Sequence, residues 1–187
     1  MGIGILVCGL NGAGKSTLGK NLAKRLGFSF LDAEDLFFSK TGSRLSYAHP
    51  RSCHEAQALF LDFIATHENF VFACVKDPFS QEISSLFRYV VLITAPKALR
   101  LRRLKARSLQ KFGGRALPGG DLYQQETAFF AMTAAREDRD IVQWAQTLAL
   151  PILPVDGARS AGENAGRAAA WVRGHLDAKG GSSIGSC

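Results

Sequence analysis

Short, almost wholly apolar runs alternate along this chain with longer stretches in which apolar residues return every three or four positions. The runs at 4–8, 28–31, 70–75, 89–94 and 152–155 are rich in Val, Ile, Leu and Phe and lack a polar face, so they predict strands buried on both sides. The stretch 15–26 carries Leu18, Leu22 and Leu26 on one stripe and has Gly27 just past its end, the mark of an amphipathic helix with a glycine C-cap. A second helix is predicted from Ser52, where Ser52 and Glu55 have capping-box spacing, and a third from Pro96 to about Lys111. Asp121 and Gln124 share the capping-box spacing and predict a fourth helix, and 163–176 predicts a fifth. Strands alternating with helices predict an α/β fold, a five-stranded parallel sheet with helices on both faces. Two segments lack periodicity, 39–50 and 112–120; the second, glycine- and proline-rich, fits a small lid.

Composition narrows this picture. A chain of 187 residues, 47% hydrophobic, suits one domain with a real core, expected over 1–178, with a Gly/Ser-rich and disordered tail over 179–187. No apolar run reaches membrane-spanning length, and the first one has no basic residues ahead of it, which argues against a signal peptide. The four cysteines form no C-x-x-C pair, so neither a disulfide framework nor a zinc site is expected, and a cytoplasmic location is. The net charge of +7 suits a protein that handles phosphates; it gathers around the predicted lid helix, while the phenylalanines fall at core-like positions, which argues against a nucleic-acid partner.

The strongest chemical signal is Gly9-Leu10-Asn11-Gly12-Ala13-Gly14-Lys15-Ser16, a complete G-x-x-x-x-G-K-[ST] motif between a predicted strand and a predicted helix. The glycines let backbone N–H groups from Gly9 through Thr17, Ala13 included, converge on phosphate oxygens at a helix N-terminus. Lys15 is expected to reach the β- and γ-phosphates of ATP, Ser16 to ligate Mg²⁺, and Thr17 to add a phosphate contact. A second signal follows the second strand, where Asp32, Glu34 and Asp35 stand at the carboxyl edge of the sheet. Asp32 is the expected proton acceptor for a hydroxyl or an anchor of the metal's shell; helix capping is the competing use of the same carboxylates.

The P-loop followed by Phe30-Leu31-Asp32-x-Glu34 resembles the shikimate kinase, gluconate kinase and adenylate kinase group of P-loop kinases over nearly the whole chain. These families more often have a second Asp where this chain has Glu34. The resemblance implies a P-loop NTPase fold, an acceptor-binding segment over about 33–66 and a lid over about 108–122. Lys76 is similar to a lysine that gluconate kinases place near the substrate, and Asp77 offers a metal-shell role. Arg100, Arg103 and Arg107 share one helix face, and with Arg115 they stand where the resembled kinases keep arginines that close over ATP. The loop at Asp156 and Gly157 matches the one that holds adenine in these kinases.

Between Asp32 and Lys76 lie Arg44, Tyr47, His49, Arg51 and His54; Arg44 and Arg51 with Glu34 and Lys76 are the expected substrate contacts, and the arginines point to an anionic acceptor. An ATP-dependent kinase acting on a hydroxyl of a small metabolite leads, as monomer or homodimer. The alternatives are a nucleoside monophosphate kinase and a non-catalytic nucleotide- or nucleic-acid-binding protein. The absence of an Asn-Lys-x-Asp motif argues against a GTPase.

Overall fold

The computed structural model describes residues 2–38, 50–76, 79 and 81–180. Arg44, Tyr47, His49, Asp77 and the expected tail beyond 180 lie outside the described residues. The elements run β1 (Gly4–Cys8), α1 (Lys15–Leu26), β2 (Ser29–Asp32), α2 (Ala33–Phe37), α3 (Cys53–Thr66), β3 (Phe70–Cys74), α4 (Gln81–Ser84), β4 (Phe87–Thr94) and α5 (Lys97–Phe112). A 3₁₀ turn (Gly113–Ala116), α6 (Tyr123–Ala135), α7 (Asp138–Thr147), β5 (Ile152–Asp156) and α8 (Ala161–Gly180) complete it.

The strands form one parallel sheet in the order β2-β3-β1-β4-β5. Alternating side chains feed two cores, because successive residues of a strand point to opposite faces. Ile5, Val7, Val71, Ala73, Tyr89 and Val91 pack with Leu18 and Leu22 of α1 and Ala168 and Val172 of α8. Leu6, Cys8, Phe70, Phe72, Val90 and Leu92 pack on the other side with Phe60 of α3 and Ile141 and Ala145 of α7. Uniformly apolar strands are what a sheet covered on both faces requires, and β1 and β3 are buried throughout. The edge strands depart from the expectation, β2 being half-buried along its length and β5 exposing Pro154 and Asp156, because an edge strand has a neighbour on one side only. No helix among the described residues is long and apolar enough to cross a membrane.

Three helices were not expected from periodicity. α2 and α4 span one turn or little more, and α7 begins inside a charged run, Arg136 to Asp140, that masks its apolar Ile141 and Ala145. The capping box at Ser52 forms as expected, with Ser52 Oγ accepting from the Glu55 amide and the Glu55 carboxylate accepting from the Ser52 amide. The one at Asp121 does not. α6 begins at Tyr123 without a side-chain cap, because the Asp121 carboxylate accepts hydrogen bonds from Arg115 Nε at 2.9 and 3.2 Å.

Candidate functional site

Because every strand runs the same way, the carboxyl ends of β1, β2, β3, β4 and β5 meet at one edge, and the loops leaving them build the site. The loop after β1 wraps the N-terminus of α1. Its Gly12 has φ 81°, and a Cβ there would meet the Arg100 carbonyl oxygen at 2.5 Å, so only glycine lets the loop lie against α5. The Gly9 amide donates to the Val75 carbonyl at 3.4 Å, tying the loop to the end of β3.

A cavity of about 510 Å³ opens in front of this loop. Asn11, Gly12, Gly14, Lys15, Ser16 and Thr17 line it from the P-loop side, Asp32 and Glu34 from β2 and α2, and Arg103 and Arg107 from α5. Lys15 Nζ donates to the Leu10 carbonyl at 3.3 Å. Burial pushes the Lys15 ammonium below the ordinary lysine range; Cys74, Asp32 and Glu34 oppose that push, and Arg107 adds to it. A buried cation beside further cations at a helix N-terminus is a receptor for a multiply charged anion. Cys8, on the strand behind, is pushed up to about 12 by burial and stays a neutral thiol.

Asp32 serves two purposes. Its Oδ1 accepts from the Glu34 amide at 3.0 Å and so caps α2, and the residue also forms part of the cavity wall. Capping and cavity-facing uses of this carboxylate therefore coexist, the cap fixing its orientation.

A smaller cavity of about 230 Å³ lies on the other side of the P-loop, between Ala13, Gly14 and Thr17 and the β5–α8 loop. Gly157 lines it and donates its amide to the Thr94 carbonyl at 2.7 Å. A Cβ on Gly157 would come within 2.5 Å of the Ala13 carbonyl oxygen, so the two loops touch only because this residue is glycine. Asp156 shapes the same turn, its carboxylate accepting from the Ala158 amide and its carbonyl from buried Asn164. Arg103 borders both cavities and donates to the Gly12 and Ala13 carbonyls at 3.5 and 3.3 Å.

The four arginines of α5 and the 3₁₀ turn after it part company. Arg103 and Arg107 line the larger cavity. Arg100 is 1% exposed and holds α5 to the α6–α7 junction, with Nε donating to the Ala95 carbonyl at 3.1 Å and standing 3.9 Å from Asp138. Arg115 pairs with Asp121 and is not among the described residues lining either cavity.

The expected acceptor contacts also divide. Glu34 lines the cavity. Arg51 instead donates to the Leu36 carbonyl at 2.7 Å and the Asp35 carbonyl at 3.4 Å, closing the end of α2, and Lys76 lies 5.8 Å from the centre of the Trp144 ring. Arg136, which sequence reasoning passed over, donates to Asn11 Oδ1 of the P-loop at 3.2 Å. It sits in a run of alternating charges between two helices, where no local pattern separates it from a solvated surface residue.

A family model described as an AAA domain matches residues 5–112. The uncharacterized protein YqaC of Bacillus subtilis (strain 168) is 25% identical over 171 residues, 87% of this chain and 93% of that protein. A shikimate kinase of Francisella tularensis subsp. novicida (strain U112) is 30% identical over 108 residues, which are 53% of this chain; the chain spans 61% of that enzyme's length. Among solved structures, a gluconokinase from Sinorhizobium meliloti 1021 superposes with a TM-score of 0.56 at 18% identity, over 95% of this chain and 97% of that one. A shikimate kinase from Acinetobacter baumannii in complex with shikimate gives 0.50 at 16% identity, over 99% and 97%. The fold is that of the P-loop small-molecule kinases.

Proposed function

This chain belongs to the AAA domain family, and from that premise we propose that it is an ATP-dependent kinase transferring the γ-phosphoryl group to a hydroxyl of a small molecule. One observation carries the reading: Lys15, Ser16, Asp32, Arg103 and Arg107, drawn from three different elements, line a single cavity. Phosphoryl transfer asks for positioning and charge more than for covalent chemistry, and these residues supply both.

In this reading the triphosphate lies along the P-loop, with Lys15 against the β- and γ-phosphate oxygens and the backbone amides of Gly12, Gly14 and Ser16 around them. Adenine occupies the smaller cavity beside Gly157, and Arg103, which borders both cavities, spans the phosphates between. The Ser16 hydroxyl and the Asp32 carboxylate are hard oxygen donors on one wall, a set that suits Mg²⁺. Bound there, the ion would supply positive charge to offset the negative charge that develops on the phosphates. Asp32 accepts the acceptor's proton, its orientation held by the Glu34 amide. Arg107 stabilises charge on the transferring group.

ADP release from a panel of small alcohols and nucleoside monophosphates, with wild type and Asp32→Asn, tests the proposal. The variant is expected to keep the rise in melting temperature that ATP alone produces and to lose about a hundred- to ten-thousandfold in turnover of the alcohol. A monophosphate acceptor already carries its nucleophilic oxygen as an anion. Strong turnover of a monophosphate that Asp32→Asn leaves intact therefore overturns the alcohol-kinase assignment.

A further inference from the structure

Away from the P-loop, the larger cavity changes character. The end of α2 contributes Phe38, the last turn of α5 contributes Phe112, and α6 contributes Phe129, one aromatic ring from each of three elements. On α5, Leu104, Ser108 and Phe112 follow at four-residue steps, so one helical stripe passes from the arginines to this aromatic end. Of the cations expected to hold an anionic acceptor, Arg51 and Lys76 are turned to α2 carbonyls and to Trp144, and Arg44 lies outside the described residues. The polar groups at this end are Gln125 and Glu126 on α6, Lys111 on α5, whose Nζ lies 5.2 Å from the centre of the Phe112 ring, and Ser108, which is 7% exposed and whose Oγ has no hydrogen-bond partner among the described residues.

A polyol acid would set more hydroxyls among these rings than the few polar groups there can partner, and each one left over costs affinity. A flat ring carrying a polar edge would instead stack on the phenylalanines and give Ser108, Gln125 and Glu126 their hydrogen bonds. We propose, resting on the kinase reading above, that the acceptor is an alcohol borne on a heteroaromatic ring, held between Phe38, Phe112 and Phe129 with its polar edge at Ser108, Gln125 and Glu126. Its hydroxyl oxygen forms the new bond to the γ-phosphorus as the bond to the β–γ bridging oxygen breaks. The hydroxyl proton passes to Asp32, and ADP leaves.

The probes are uridine, adenosine and pyridoxine in one arm and gluconate and shikimate in the other, read by ADP release and by saturation-transfer NMR on the ATP-analogue complex. The best ring-bearing probe is expected to exceed both polyol acids by about a hundredfold in kcat/KM. Phe129→Ala is expected to raise its KM about tenfold, since base–aromatic stacking is lost, with the ATP-induced thermal shift unchanged. Phe129→Leu, which keeps apolar volume and removes the ring, guards against a folding defect and is expected to raise KM as well. Preference for gluconate or shikimate, or ring-bearing probes that neither bind nor turn over, overturns the proposal. A wild type with no thermal shift on ATP and Mg²⁺ fails the kinase reading separately; saturation transfer from the ring-bearing probes then decides the aromatic end by itself.

Discussion

At Lys15 the protein carries an ammonium group whose burial depresses its pKa, and this has two consequences of opposite appearance. In the free protein, the unfolded chain holds the proton up to the ordinary lysine range while the folded chain releases it earlier. Between those two values the unfolded state binds more protons, so Lys15 makes stability rise with pH there, and below the depressed value its burial cost is fully present. Nucleotide binding moves the other way, because bound phosphate favours the charged lysine and binding above the depressed pKa must take up a proton. ATP affinity, measured by titration calorimetry across alkaline pH, is expected to weaken toward a limit of about tenfold per pH unit. Lys15→Met is expected to remove most of the affinity together with this pH dependence. A pH-independent dissociation constant would show that Lys15 does not meet the phosphates. The P-loop residues were legible because the motif's chemistry is local: eight consecutive residues carry both the cradle and the charge.

On α5, helical spacing placed Arg100, Arg103 and Arg107 on one face, yet the surrounding elements assign them different work. Arg100 is enclosed by the α6–α7 junction, whereas Arg103 and Arg107 remain on the cavity. Replacing Arg103 or Arg107 by Ala is expected to lower kcat about a hundredfold with a much smaller change in nucleotide affinity, since a contact made in the transition state acts on the rate. Arg115→Ala is expected to leave kcat within about threefold, its guanidinium being spent on Asp121 at the surface. Steady-state kinetics on the three variants checks this, and a loss at Arg115 equal to that at Arg103 would mean that the lid rearranges to bring Arg115 over the phosphates. The same region shows why the Asp121–Gln124 spacing misled: a capping carboxylate is free to choose any nearby donor, and the 3₁₀ turn delivers Arg115 to it.

Across the whole molecule, Phe60 joins α3 to the sheet. It is fully buried, with ring centroids 5.1 Å from Phe72, 5.3 Å from Phe79 and 5.8 Å from Phe70. Phe60→Ala is expected to cost about 3–5 kcal/mol in urea unfolding, while Leu59→Ala, 39% exposed on the same helix, stays within about 0.5 kcal/mol. Equal effects would place α3 differently against the sheet. The strands, the parallel α/β class and the helix α1 behind the glycine-rich loop were determined by sequence alone, because apolar runs and a G-x-x-x-x-G-K-[ST] loop leave local patterns that few other structures share. Three things were decided only by tertiary structure: which face of α5 meets the cavity, Arg136 reaching Asn11 across 125 positions, and three distant phenylalanines lining one cavity. These are contacts between elements far apart in the chain, set by the order of strands in the sheet, and no periodicity of a single segment encodes them.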